Sequence, residues 1–284
     1  MTLREGSSLY YATRHLDDDV RARVTSLLVL FDTLATAVTD VQEPQVAEKK
    51  IHWWHEEIDR LYQHEARHPH TKSLQPWITQ ACPDKAPWLS VLAVNNQMRF
   101  VNTETESALE QQLIDDYGSR LTIVNSVLTP VTDSQKESDM MLPGTPPQWA
   151  RPYSLGLGHV DKLINFNRLY QQGHIAFAEE SWQRAALKPE AARETDNKQA
   201  LDNLLHAIIS RAQAHLGDGI EAISQVPAPM LKLLWTLTAL RQQQLTLWQR
   251  KNHNPLNASM SLTPAAKAWR AWRTEAKADR LLRQ

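Results

Sequence analysis

DDDVRARVTSLLVLFDTLATAVTD, from Asp17 to Asp40, is the stretch on which the fold turns. Its apolar residues recur at intervals of three and four, the period of a helix with a buried face. Asp17, Asp18 and Asp19 open it, where acidic side chains cap a helix and complement the positive end of its dipole. The run from Val24 to Val38 is the most apolar of the chain. Asp32 and several threonines interrupt it, so it reads as a buried helix and not as a membrane span.

Working outward, Pro44 suits the first turn of a second helix that carries Ile51, Trp54, Ile58 and Leu61 to about His64, before His68-Pro69 breaks the pattern. The same period predicts helices over 87–100, 104–128, 149–172, 176–186, 196–223, 229–249 and 264–282. No alternating strand pattern and no internal repeat occurs. The fold class is therefore all-α, read as one domain over 1–284. The polar, Pro-rich stretch 129–147, TPVTDSQKESDMMLPGTPP, is expected as an internal surface loop, with a domain linker as the other reading.

Composition narrows the function classes. The chain has 284 residues, 42% of them hydrophobic, which is enough for a sizeable core. Lys plus Arg is 31 against Asp plus Glu 32, so charge gives no reason to expect nucleic acid as a partner. One cysteine, Cys82, excludes an internal disulfide framework and a multi-cysteine zinc site. Only 8 glycines occur, and none form the spacing of a phosphate-cradling loop. Neither a signal peptide nor a spanning segment is visible, so the expected location is cytoplasmic or peripheral to the inner face of a membrane.

The order of features resembles the squalene/phytoene synthase family, the head-to-head isoprenoid condensing enzymes. SSLYYATRHL resembles that family's Ser-Phe-Tyr-Tyr-Ala opening. The stretch 17–40 resembles the helix bearing its first aspartate-rich motif. AEKKIHWWHEEIDRLYQHEARHPHTKSL is similar to its segment with a Trp, an acidic pair, a Tyr and a His-Pro. LIDDYGSRLTIVNSVL stands for its Tyr-centred helix, and SLGLGHVDKLINFNRLYQQGHIAFAEESWQRAAL for its second aspartate-rich region. The match runs from about Ser7 to His253. It implies a helical bundle of the isoprenoid (terpenoid) synthase type with a central apolar cavity. It also implies Mg²⁺ held by two aspartate-rich motifs, because a departing diphosphate is highly charged and Mg²⁺ prefers carboxylate oxygens.

The sequence departs from that pattern at both motifs. With Asp40 on the last aspartate of the first motif, Thr36 stands for the first and Thr33 for the arginine before it. Asp32 and Asp40 are eight apart, roughly 12 Å along a helix axis, and make no compact pair. No acidic residue occurs between Asp161 and Glu179, and Asn165 stands four residues after Asp161. The resemblance therefore implies a catalytically degenerate member that binds an isoprenoid-like or prenyl diphosphate-like lipid, a protein partner, or both. It is also similar in this respect to the mitochondrial complex I assembly factor of the same fold, which suggests a role in assembling a membrane-associated complex. No metal site and no cofactor are expected on this reading. The alternative is an active Mg²⁺-dependent prenyltransferase condensing two isoprenyl diphosphates, its ligands supplied from elsewhere, such as Asp115 or Asp116. By the same resemblance Tyr10, Tyr11 and Arg14, with Asp40, Tyr117 and Asp161, are the expected ligand-binding residues.

Other clusters carry two readings each. His52, His55 and Glu56 suit either a zinc ion or a polar helix face. His64, His68 and His70 suit metal capture or a solvated loop. In AAKAWRAWRTEAKADRLLRQ, Trp269 and Trp272 alternate with Lys267, Arg270 and Arg273. The first reading packs these tryptophans on the core. The other makes 263–284 a basic amphipathic helix in contact with a membrane surface, as in a peripheral membrane adaptor.

Overall fold

The computed structural model describes residues 5–41, 43–100, 102–129, 145–257 and 260–283. Of the expected loop 129–147, residues 130–144 lie outside the described residues. The helices run α1 (Ser8–Ala12), α2 (Asp18–Thr39), α3 (Pro44–Tyr62), α4 (Pro69–Leu74), α5 (Ile78–Ala81), α6 (Ala86–Phe100), α7 (Glu106–Leu113), α8 (Ser119–Leu128), α9 (Ala150–Ile164), α10 (Phe166–Gln171), α11 (Glu179–Arg184), α12 (Lys198–Glu221), α13 (Ala228–Arg250) and α14 (Pro264–Leu281). No strand occurs among the described residues. The fold is the expected all-α bundle.

The helices form two groups. α2 packs on α3, α4, α6 and α8, while α9 lies along α12, α12 on α13, and α13 on α14 and α1. One core joins both groups, with Trp88, Tyr153, Phe166 and Phe177 among its fully buried side chains. Residues from Ala12 to Ala278 contribute to it. A smaller cluster of Tyr11, Leu240, Leu262 and Ala271 seals α1 against α13 and α14.

Several local expectations are refined. Asp17 holds the N-cap position of α2 without a side-chain cap bond, and Asp18 and Asp19 supply the acidic first turn. The helix expected over 104–128 is interrupted by a π-helical turn, Ile114–Gly118. The helix expected over 149–172 breaks at Asn165, whose side-chain amide donates to the Asp161 carbonyl at 2.9 Å. An asparagine bonded to the preceding turn competes with the backbone's own continuation. The His64–His70 tract is an exposed turn at His64 that leads into α4 at His68. His68 Nδ1 caps α4 by accepting from the His70 amide at 3.2 Å, and its ring packs 4.8 Å from Trp54. The buried Glu57 carboxylate accepts from the Arg67 and His68 amides and from Arg60 Nε. His52 pairs with Glu56 at 3.2 Å on an exposed face, the polar-face reading of that cluster.

The α9–α12 contact sets the position of the site described below, and glycine permits it. A Cβ on Gly156 would lie 2.5 Å from Leu216 Cδ2 and 3.1 Å from the Leu216 backbone nitrogen. Gly217, one residue on in α12, has nothing within 4 Å of a Cβ. Gly156→Val is expected to lower stability by about 2 kcal/mol through overpacking. Gly217→Ala is expected to raise it by up to about 1 kcal/mol through helix propensity. Urea denaturation midpoints of the two variants check the opposite signs.

Candidate functional site

Between the two helix groups lies a cavity of about 290 Å³. Its walls are apolar, from Val24, Leu28 and Phe31 of α2, Leu121 and Val124 of α8, Leu157 of α9, and Leu233 and Leu237 of α13. One part is charged. Arg120, Lys162, Arg168 and Arg241 face Asp32, Asp116 and Asp161 there, four cations against three carboxylates. The expected central cavity exists, but it is not apolar throughout.

The π-helical turn carries Asp116 and Tyr117, and α9 presents Leu157, Asp161, Lys162 and Asn165 at helical spacing. Arg120 grips Asp116 through two hydrogen bonds of 2.8 Å, from Nε and Nη2. This fork geometry is the strongest form of guanidinium–carboxylate contact. Burial pushes the Asp116 carboxyl upward against the pull of Arg120. Asp161 accepts from Arg241 Nη2 at 3.0 Å and from the Tyr117 hydroxyl at 3.0 Å. Burial, then the neighbouring Asp161 charge, pushes the Tyr117 phenol well above its ordinary range. The Arg120 guanidinium lies 5.0 Å over the Tyr117 ring, so Asp116, Arg120, Tyr117, Asp161 and Arg241 form one network.

Lys162 differs from the three arginines. It is 9% exposed, lines the cavity, and makes no hydrogen bond or ion pair with any described residue. Burial pulls its pKa down to about 8, and the charge of Asp116 only partly opposes this. A buried ammonium without a contact partner is costly unless something else supplies the negative charge.

The two regions that resemble aspartate-rich motifs do meet. Asp40 Oδ1 accepts from Arg168 Nη1 at 3.0 Å and from Gln172 Nε2 at 2.9 Å. Asp40 itself does not line the cavity; on α2 the cavity-facing positions include Asp32 and Ala35. Thr33 and Thr36 lie one step round the helix and donate their hydroxyls to the Val29 and Asp32 carbonyls. Asn165 lines the cavity and Asp115 turns away, accepting from Gln111. Tyr10 and Tyr11 stack edge-to-face in the smaller cluster, and Leu9 is the residue of α1 at the cavity. Arg14 is exposed. Of the six residues expected to bind ligand, the structure brings Tyr117 and Asp161 to the cavity. It adds Asp116, Arg120, Lys162, Arg168 and Arg241.

The Squalene/phytoene synthase family model matches residues 3–263. The chain belongs to the squalene/phytoene synthase family. A dehydrosqualene synthase crystallised with ligand shares the fold, with a TM-score of 0.70 and 14% identity over 97% of this chain and 92% of that one. The squalene synthase HpnC from Alicyclobacillus acidocaldarius gives a TM-score of 0.59 and 14% identity over 86% of this chain and 99% of that one. No curated protein matches the chain by sequence.

The fold family implies Mg²⁺, so its fit can be tested on the donors present. Two of the three cavity carboxylates are already engaged by guanidinium groups. Among the described residues no three His, Cys, Asp or Glu side chains group so as to hold a metal ion. Mg²⁺ demands a near-octahedral oxygen shell, and this donor set does not match it. Cys82 is buried, and burial raises its thiol to about 11, so it offers no nucleophile. Among the described residues no helix is long and apolar enough to cross a membrane.

The strain of burying Lys162 has a measurable sign. Its folded pKa of about 8 lies below the ordinary 10.5. The unfolded chain therefore binds the proton more tightly, and the charged form weakens the fold below that window. Lys162→Met is expected to stabilise the ligand-free protein by about 2 kcal/mol at neutral pH. The gain should shrink as pH rises from about 8 towards 10.5. Thermal melts of both proteins across that range read the difference.

Proposed function

We propose that this protein binds one isoprenoid-like lipid with an anionic head group, held by cationic side chains and not through Mg²⁺, and that it does not carry out the condensation reaction. Lys162 carries the proposal: a buried ammonium in the charged part of a largely apolar cavity, with no hydrogen bond or ion pair to a described residue. A phosphate or diphosphate supplies the missing charge, and the apolar walls accept the chain behind it. Arg120, Arg168 and Arg241 add positive potential while remaining paired with Asp116, Asp40 and Asp161. The size of the cavity, about 290 Å³, is at the low end of small-ligand pockets, which favours one bound chain over two. The dehydrosqualene synthase and squalene synthase likenesses supply the class of lipid by analogy of fold.

Farnesyl and geranylgeranyl diphosphate test this by thermal shift in the presence of chelator. At a hundredfold excess over Kd, linkage gives about 2.7 kcal/mol of stabilisation, or a rise on the order of 5–10 °C. The rise should be lost in Lys162→Met and should decline above pH 8, where Lys162 sheds its proton. A shift that requires Mg²⁺, or one that Lys162→Met retains in full, overturns the reading.

A further inference from the structure

The outer face of α14 carries two large apolar side chains among its cations. Lys267, Ala271, Thr274 and Ala278 face inward and are buried, and Lys267 Nζ donates to the Gly6 carbonyl at 2.7 Å. Small residues and one tied lysine thus make the packed side. Trp269 and Trp272 stand on the opposite side, each 60% exposed, with ring centroids 5.1 Å apart. This overturns the reading that packs them on the core. Two adjacent indoles in water forgo a large burial gain, and such a patch marks an interaction surface.

The surroundings identify the partner. Residues 264–283 hold six Lys or Arg and two Asp or Glu, in a chain whose formal net charge is -1. Arg270, Arg273 and Lys277 line a cleft of about 200 Å³ along one flank of the tryptophans. Arg270 also borders, with Arg250, a polar groove of about 450 Å³. The Nε of Arg270 is buried and has no hydrogen-bond partner among the described residues. Leu281 and Leu282 extend the exposed apolar surface at the helix end. We infer that this face docks on an anionic phospholipid surface, the Trp269–Trp272 pair entering the interfacial region while Arg250, Arg270, Arg273 and Lys277 take the phosphate head groups. Indole rings favour the boundary between head groups and acyl chains, and each nearby cation gains from a negative surface potential. Self-association through this face would bring two basic rims together, which like-charge repulsion disfavours. The inference does not depend on what the central cavity holds.

Co-sedimentation with vesicles tests it. The full chain is expected to bind vesicles of phosphatidylcholine mixed with phosphatidylglycerol, to ignore phosphatidylcholine alone, and to dissociate as salt rises. W269A/W272A should weaken binding about tenfold or more while leaving the thermal melt unchanged, because both side chains are exposed. R270Q/R273Q should weaken it and flatten the salt dependence. Failure of the full chain to bind anionic vesicles at low salt overturns the inference, as does equal binding by W269A/W272A. A dimer in sedimentation velocity that W269A/W272A abolishes would assign the face to a second copy of the chain and also overturn it.

Discussion

Guanidinium–carboxylate pairing organises the interior of this protein. Asp116 with Arg120 and Asp161 with Arg241 each join a carboxylate to a cation inside the bundle, and Asp40 with Arg168 does so at the surface. Asp161 with Arg241 ties α9 to α13, and Asp40 with Arg168 ties the end of α2 to α10. A carboxylate already satisfied by an arginine has little to offer a divalent cation, and the charge that a metal would bring is already present as protein side chains. Lys162 is the cavity cation that makes no hydrogen bond or ion pair with a described residue, and on the proposed reading an anionic ligand offsets the cost of its burial.

Most of the fold was legible in the sequence. α2, α3, α12 and α13 follow from three-four periodicity, with Pro at the start of α3 and α13, and the long-range order of segments placed them in an isoprenoid-synthase bundle. The interruptions were not legible. Nothing in IDDYG marks a π-helical turn, because the extra residue is accommodated by packing against α6 and α9 and not by local propensity. Asn165 is an ordinary helix residue until its amide is seen bonded to the preceding turn.

The candidate site was half legible, for a related reason. Tyr117 and Asp161 were found by resemblance. Their partners were not, because Arg241 lies 80 residues from Asp161 and no short-range pattern links them. Lys162 follows Asp161 directly, and nothing local in the sequence marks its side chain as buried. Trp269 and Trp272 posed the reverse problem. Apolar size suggested burial, whereas Ala271 and Ala278, smaller and on the other side, are what α13 and α1 accommodate.

On the proposed reading, internal cations and not Mg²⁺ hold an anionic head group at this site, and no condensation follows. Incubating the protein with farnesyl and geranylgeranyl diphosphate, Mg²⁺ and NADPH, and measuring diphosphate release, tests it most directly. No release above the uncatalysed background is expected from protein shown to be folded by its thermal melt. Release that exceeds background and is abolished by chelator would contradict it and make the protein a working prenyltransferase.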